Sequence, residues 1–223
     1  FFYANRCILP YVNEGVRMLQ EGVAPALIEN AAKLVGMPLG PLQLTDETSI
    51  DLGAKIARAT KAGDPDYDDT TDELIFWMEG EGRLGRKANA GFYAYDDKGK
   101  RQGLWDGLGA RYAEADTQPD LIEVQHRLLF AQVLEAVRAL EAGVLMDIRE
   151  GDVGAVLAWG FAPWTGGPFA WLDMLGAAYA ADRCDALEAK FGERFKCPAL
   201  LREMAENGES FYGRFGGEQQ AAA

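Results

Sequence analysis

Residues 5–23 read NRCILPYVNEGVRMLQEGV, and residues 126–144 read HRLLFAQVLEAVRALEAGV. Overlaid at a shift of 121, they agree at eight of nineteen positions: Arg6/Arg127, Val12/Val133, Glu14/Glu135, Val16/Val137, Arg17/Arg138, Leu19/Leu140, Gly22/Gly143 and Val23/Val144. Self-similarity on this scale is the mark of a repeated structural unit. Further along, GPLQLTD (40–46) lies over GPFAWLD (167–173), and GFYAY (91–95) over SFYGR (210–214). The extra residues of the second copy fall in the aromatic stretch WGFAPWTGG (159–167). The motifs keep their order, so the chain divides into two tandem copies of one module. The first copy covers 1–101, a linker 102–119, the second copy 120–215 and a tail 216–223.

The module is mainly helical, giving an all-α fold class. Ile8, Val12, Val16 and Leu19 recur at helical spacing over 6–21, and Gly22 suits the left-handed position that ends a helix. Pro25 fits the first turn of a second helix, and Gly40-Pro41 and Gly167-Pro168 each mark a turn into another. Residues 51–62 and 69–79 continue the helical pattern. Only 91–105, GFYAYDDKGKRQGLW, reads as a hairpin, with Lys98-Gly99 near its turn.

Residues 80–85, GEGRLG, satisfy G-x-G-x-x-G, the spacing of a dinucleotide-binding turn. That fingerprint needs a buried strand before it and a helix opening out of it. Here the preceding DELIFWME (72–79) is acidic and helix-like, and no βαβ alternation surrounds the pattern. It is not the fingerprint, and no cofactor-binding residue is assigned.

With 22 basic and 35 acidic residues, the 223-residue chain carries a net charge of −13, which argues against a nucleic-acid partner. No apolar run is long enough for a membrane span. Cys7, Cys184 and Cys197 form no C-x-x-C pair, which fits reduced thiols in a cytoplasmic setting and argues against a structural zinc. The opening Phe1-Phe2-Tyr3 has no signal-peptide pattern, and the chain reads as a piece of something longer.

Asn5 precedes the first amphipathic helix, either as its N-cap or as a polar group presented to a ligand. His126, the only histidine, takes the same place in the second copy and reads as a helix-start polar residue; a dyad with Glu123 is the catalytic alternative. No metal-binding spacing accompanies it. Glu14/Arg17 and Glu135/Arg138 recur three residues apart, where opposite charges meet on one helix face. Trp159, Phe161, Trp164, Phe169 and Trp171 read as core or interface packing. Arg83, Arg86 and Lys87 form a compact basic cluster, either a solvated loop or an anion-facing patch.

FFYANRCILPYVNEGVRML, then GMPLGPLQLTDETSIDL, then GRLGRKANAGFYAY resemble the C-terminal domain of 3-hydroxyacyl-CoA dehydrogenases over 1–96. The second copy, with GFAPWTGGPFAWLD (160–173), resembles the extra C-terminal repeat of multifunctional fatty-acid oxidation enzymes. The resemblance implies an NAD-dependent oxidoreductase acting on acyl-CoA substrates in fatty-acid β-oxidation, part of lipid metabolism. It implies that NAD and the catalytic His–Glu pair belong to a Rossmann domain, to which nothing here corresponds. No catalytic residue is therefore assigned in this chain, neither His126 nor any Glu, and the chain alone is expected to be inactive. Asn5 matches the family asparagine that reaches the substrate and the catalytic histidine, so it is the substrate-binding candidate. The parent would carry a hydratase/isomerase domain further upstream, and a thiolase subunit is a candidate partner. Single-copy relatives dimerise through this domain, so a tandem copy is expected to serve as an internal pseudo-dimer. Some multifunctional members carry a substrate-facing Tyr near the position of Leu157, where this chain departs from the pattern. The alternatives are a free-standing helical interaction module and an independent enzyme using His126 as base.

Overall fold

The computed structural model describes residues 3–64 and 67–217. Its helices are α1 (Tyr3–Gln20), α2 (Pro25–Leu34), α3 (Pro41–Thr48), α4 (Ile50–Gly63), α5 (Asp72–Gly80), α6 (Gly107–Arg111), α7 (Leu121–Glu141), α8 (Ile148–Trp159), α9 (Pro168–Leu175), α10 (Ala177–Phe191), α11 (Ala199–Asn207) and α12 (Phe211–Phe215). A two-stranded antiparallel hairpin, β1 (Tyr93–Tyr95) and β2 (Arg101–Leu104), lies between α5 and α6. The protein is thus mainly helical with one small hairpin, as its sequence pattern implies. No helix among the described residues is long and apolar enough to cross a membrane.

By proximity of its backbone, the chain forms two compact units. One gathers the described residues of 12–34 and 39–125; the other gathers those of 1–11, 35–38 and 126–223. In the first, Met18 and Leu19 of α1, Ile28 of α2, Leu42 of α3 and Met78 of α5 are buried together with Phe92. In the second, Phe130 of α7 meets Trp171 of α9 edge-on at 5.3 Å, and Phe169 packs on Phe211 at 5.2 Å. Phe161, Phe195 and Leu201 are buried there as well.

The repeated helices end the same way. After α1, Gly22 adopts φ +85°; its amide donates to the Leu19 carbonyl (3.1 Å), and the Val23 amide donates to the Met18 carbonyl (2.9 Å). After α7, Gly143 adopts φ +65°; its amide donates to Leu140 (3.0 Å), and Val144 donates to Ala139 (2.9 Å). Each pair of bonds is a Schellman cap, and the left-handed residue it requires is cheap only for glycine. The starts are less uniform. α7 begins before His126, where Asp120 Oδ1 accepts from the Glu123 amide at 2.7 Å, so His126 lies inside the helix. Asn5 likewise lies within α1, in its first described turn, and is not its N-cap. Both helix-start readings are corrected by these extra residues.

The hairpin pairs Tyr93 with Leu104 and Tyr95 with Arg101, with an irregular register between, and turns at Gly99 with φ +73°. The stretch 102–119 carries the end of β2 and the short helix α6. The Glu–Arg pairs recurring in sequence are substantially withdrawn from solvent. Glu14 and Arg17 are 1% and 8% exposed, with Arg17 bonded to Asp68, while Glu135 binds Arg138 at 2.9 Å and Arg6 at 3.4 Å.

Two helix-interior glycines separate packing from propensity. A Cβ on Gly15 would lie 2.4 Å from Cγ of Pro41, whereas one on Gly154 would meet nothing within 4 Å. Gly15→Ala is expected to destabilise by about 1–3 kcal/mol, since a rigid ring must shift. Gly154→Ala is expected to stabilise by roughly 0.5–1 kcal/mol from helix propensity. Urea unfolding of the two variants checks the opposite signs.

Candidate functional site

The GPLQLTD and GFYAY motifs meet in a buried hydrogen-bond network. Pro41 has no amide hydrogen, so the first available donors of α3 are the amides of Leu42 and Gln43. Both reach Glu29 Oε1 of α2, at 2.8 and 3.4 Å. The other oxygen accepts from the Tyr93 hydroxyl at 2.7 Å. Toward the far end of α3, Asp46 accepts from the Phe92 and Tyr93 amides at 2.8 and 2.9 Å and from the Tyr95 hydroxyl at 2.9 Å. Glycines make the room: a Cβ on Gly40 would fall 2.2 Å from the Glu29 carboxylate, and one on Gly91 would fall 2.0 Å from that of Asp46.

The second unit repeats the arrangement. Asp152 of α8 accepts from the amides of Phe169 (2.8 Å) and Ala170 (3.0 Å), which follow Gly167-Pro168, and from the Tyr212 hydroxyl (2.9 Å). Asp173 of α9 accepts from the Phe211 and Tyr212 amides at 2.6 and 2.9 Å. Glu29, Asp46 and Tyr93 thus find counterparts in Asp152, Asp173 and Tyr212. The sequence signal was an acidic residue among the buried positions of α2 and α8, which the repeat alignment alone did not single out.

Burial raises the Glu29 and Asp152 carboxyls above the usual range, opposed for Glu29 by Tyr93 and the α3 amides and for Asp152 by the Phe169 amide and Tyr212. Asp46 is pushed up to about 6 by burial, opposed by the Tyr93 and Phe92 amides, Tyr95 and Arg83. At neutral pH Asp46 remains an acceptor, as its three donors require.

Within the basic cluster, Arg83 is spent on the fold. Arg83 donates to the carbonyls of Gly91 (2.7 Å) and Tyr93 (3.1 Å) and lies 3.9 Å over the Trp105 ring. Arg86 pairs with Glu47 at 2.9 Å and Lys87 with Asp51. Arg86 and Lys87 stay exposed, which fits the solvated-loop reading, with their charges paired at the surface. The G-x-G-x-x-G stretch runs from the end of α5 into a single 3-10 turn, Arg86–Ala88, and then the hairpin. Of the aromatics, Phe161, Phe169 and Trp171 are core, whereas Trp164 stays exposed and donates to the Val35 carbonyl at 2.7 Å. Leu157 is 79% exposed on α8.

Asn5 makes no hydrogen bond to these carboxylates. Its turn of α1 is anchored by its neighbours: Tyr3 packs edge-on against Trp159 at 5.4 Å, Arg6 binds Glu135, and Cys7 is fully buried. Asn5 itself is exposed, and its amide has no hydrogen-bond partner among the described residues. His126, at the repeat-equivalent position, is half-buried; its Nδ1 accepts from Arg183 Nε at 2.8 Å, and its ring lies edge-on to Phe130.

A family model for the 3-hydroxyacyl-CoA dehydrogenase C-terminal domain matches residues 2–95. The chain contains a region homologous to that domain. Asn5, Glu29, Asp46 and Tyr93 all lie inside it. The fold is similar to that of 3-hydroxybutyryl-CoA dehydrogenase from Escherichia coli K12, with TM-score 0.69 and 21% identity, covering 92% of this chain and 60% of that one. It is also similar to the dehydrogenase part of multifunctional enzyme 1 from C. elegans, with TM-score 0.67 and 23% identity, over 89% of this chain and 46% of that one. The chain therefore spans three-fifths or less of these proteins' lengths, and at such identities the likeness concerns the fold. NAD in this family is bound by the Rossmann domain, to which no part of this chain corresponds.

The raised Asp46 carboxyl has a pH signature. A group bound more tightly to its proton in the folded state adds stability below its unfolded value of about 4, and that stability is lost as pH rises through about 6. Between pH 4 and 6, stability is expected to change less favourably with rising pH in the wild type than in Asp46→Asn. Urea midpoints across that window, measured for both proteins, check the difference in slope.

Proposed function

We propose that this chain is the substrate-binding and assembly region of an NAD-dependent L-3-hydroxyacyl-CoA dehydrogenase of fatty-acid β-oxidation, inactive without an upstream Rossmann domain. The observation that carries this reading is the placement of Asn5. It lies in the family-matched segment, on an anchored helical turn, with its amide unengaged among the described residues. NAD, held by the upstream domain, supplies the hydride acceptor. On this reading the Asn5 carboxamide accepts from the catalytic histidine of that domain and donates to the oxygen of the bound acyl-CoA substrate.

The repeat at 120–215 is, on the same reading, a second copy of the domain retained for assembly. The repeated Schellman caps and the repeated carboxylate–tyrosine arrangement support common descent. Engagement of His126 by Arg183 fits a copy in which the Asn5 position serves structure. The acyl-CoA substrate, the chain's own Rossmann domain and a thiolase subunit are the partners this assignment implies.

The test is NADH formation from an L-3-hydroxyacyl-CoA. The 223-residue chain is expected to be silent and a chain extended upstream by its Rossmann domain to be active. Asn5→Ala in the extended chain should lower kcat/KM on the order of 10²-fold, the scale for losing one hydrogen bond to a developing charge. Turnover by the short chain, or an extended chain that stays silent, would overturn the assignment. Undiminished turnover by the Asn5 variant would remove that residue's role alone.

A further inference from the structure

The turn of α1 that carries Asn5 is supported by the second repeat. By proximity of its backbone, the described part of 1–11 belongs to the same compact unit as 126–217. Two side chains of α7, Gln132 and Glu135, lie one helical turn apart, and each fixes one point of that support. Gln132 is fully buried; its side-chain oxygen accepts from Trp159 Nε1 at 3.0 Å, and the Trp159 ring meets Tyr3 edge-on at 5.4 Å. Glu135 Oε2 accepts from both Nε and Nη2 of Arg6 at 3.4 Å. Cys7, next along α1, is fully buried. Of residues 3–7, Asn5 alone is exposed.

Glu135 is itself braced. Its other oxygen accepts from Arg138 Nη1 at 2.9 Å, and Arg138 donates onward to the carbonyls of Lys196 (2.8 Å) and Arg194 (3.4 Å). One carboxylate, 19% exposed, thus serves two guanidinium groups. Bonds between ionised partners are stronger than neutral ones, and the fork of an arginine adds direction to them. A neutral amide in place of the carboxylate would leave two like charges facing one another. Arg138 would keep its two carbonyl acceptors, and Arg6 would be left without its carboxylate.

We infer that Glu135 is a positioning residue for Asn5, an assignment that rests on the dehydrogenase reading above. Through Arg6 it fixes the turn from which the Asn5 carboxamide meets the substrate and the histidine of the upstream domain. Glu135 touches no reacting atom, and its contribution is geometric. A displacement of about 1 Å at a reacting centre is enough to cost a large part of the rate. The second repeat thereby takes part in the reaction as well as in assembly.

Two measurements test this. In the 223-residue chain, hydrogen exchange read by mass spectrometry compares the wild type with Glu135→Gln and Arg6→Gln. In both variants the amides of residues 7–11 should exchange on the order of 10-fold faster, while a peptide holding Leu42 and Gln43, bonded to Glu29, keeps its rate. In the chain extended by its Rossmann domain, either variant should lower kcat on the order of 10-fold and change KM much less. In an Asn5→Ala background the same substitution should cost less than about 2-fold, because the group it positions is gone. A role in stability alone would make the two losses additive. Arg6→Gln leaves the Glu135–Arg138 pair in place, so it decides the matter where Glu135→Gln does not fold. Unchanged exchange at 7–11 would overturn the positioning role, and so would additive losses in an active extended chain. A silent wild-type extended chain would overturn the dehydrogenase reading and this role with it.

Discussion

Glu29 and Asp152 hold the amino ends of α3 and α9, and much of each unit is arranged around that contact. A carboxylate taken out of water loses several kcal/mol of hydration unless donors replace it. Here each receives two backbone amides from a helix N-terminus, where the dipole favours negative charge, and one tyrosine hydroxyl. The Gly-Pro dipeptide follows from the same need. Proline presets the first helical turn and lacks the one amide that would have no use, while glycine leaves room for the carboxyl. The tyrosine then ties the last motif of the module back to its second helix, so early, middle and late segments close on one buried charge.

The two units carry out this plan with different parts. An Asp replaces Glu in the second, and its backbone comes correspondingly closer: a Cβ on Gly167 would lie 2.6 Å from Cα of Asp152. Gly91 is pressed against the Asp46 carboxylate and leads into a strand, whereas Ser210 caps the short helix α12 through a bond from the Gly213 amide. Tyr95, the third donor to Asp46, gives way to Arg214, which turns instead to Glu203 and Glu209. Two carboxylates bound by amides and bridged by a tyrosine persist while the chain around them changes from hairpin to helix. That pattern is expected when one interaction constrains a module and the rest is free to drift.

Signals that act locally were legible in the sequence. Gly22 and Gly143 mark helix ends because only a left-handed residue completes the cap, and Pro25, Pro41 and Pro168 mark helix starts because their geometry suits the first turn. The start of α7 was misplaced because Leu121 and Ile122 are exposed and do not join the apolar stripe, although Asp120-x-x-Glu123 carried a capping pattern. Long-range pairings were not legible. The charges of Arg86 and Lys87 are plain in the sequence, but their acceptors, Glu47 and Asp51, come from an earlier helix and its neighbour.

The same distinction bears on which motif residues are free to act on a ligand. Glycines 40, 85 and 91 are demanded by close approaches, Asp46 by the amides of Phe92 and Tyr93, and Tyr93 by Glu29. Folding alone accounts for these residues, so their presence in a family pattern says little about chemistry. Asn5 differs in kind. Arg6 and Cys7 beside it are held by an ion pair and by burial, while the Asn5 amide, on the same turn, is exposed and engages no group among the described residues. An exposed asparagine of this kind gives the described residues little packing area and no internal hydrogen bond. A motif position that stability does not explain is where a binding role has the most room, and its repeat counterpart His126, already bonded to Arg183, offers no such vacancy.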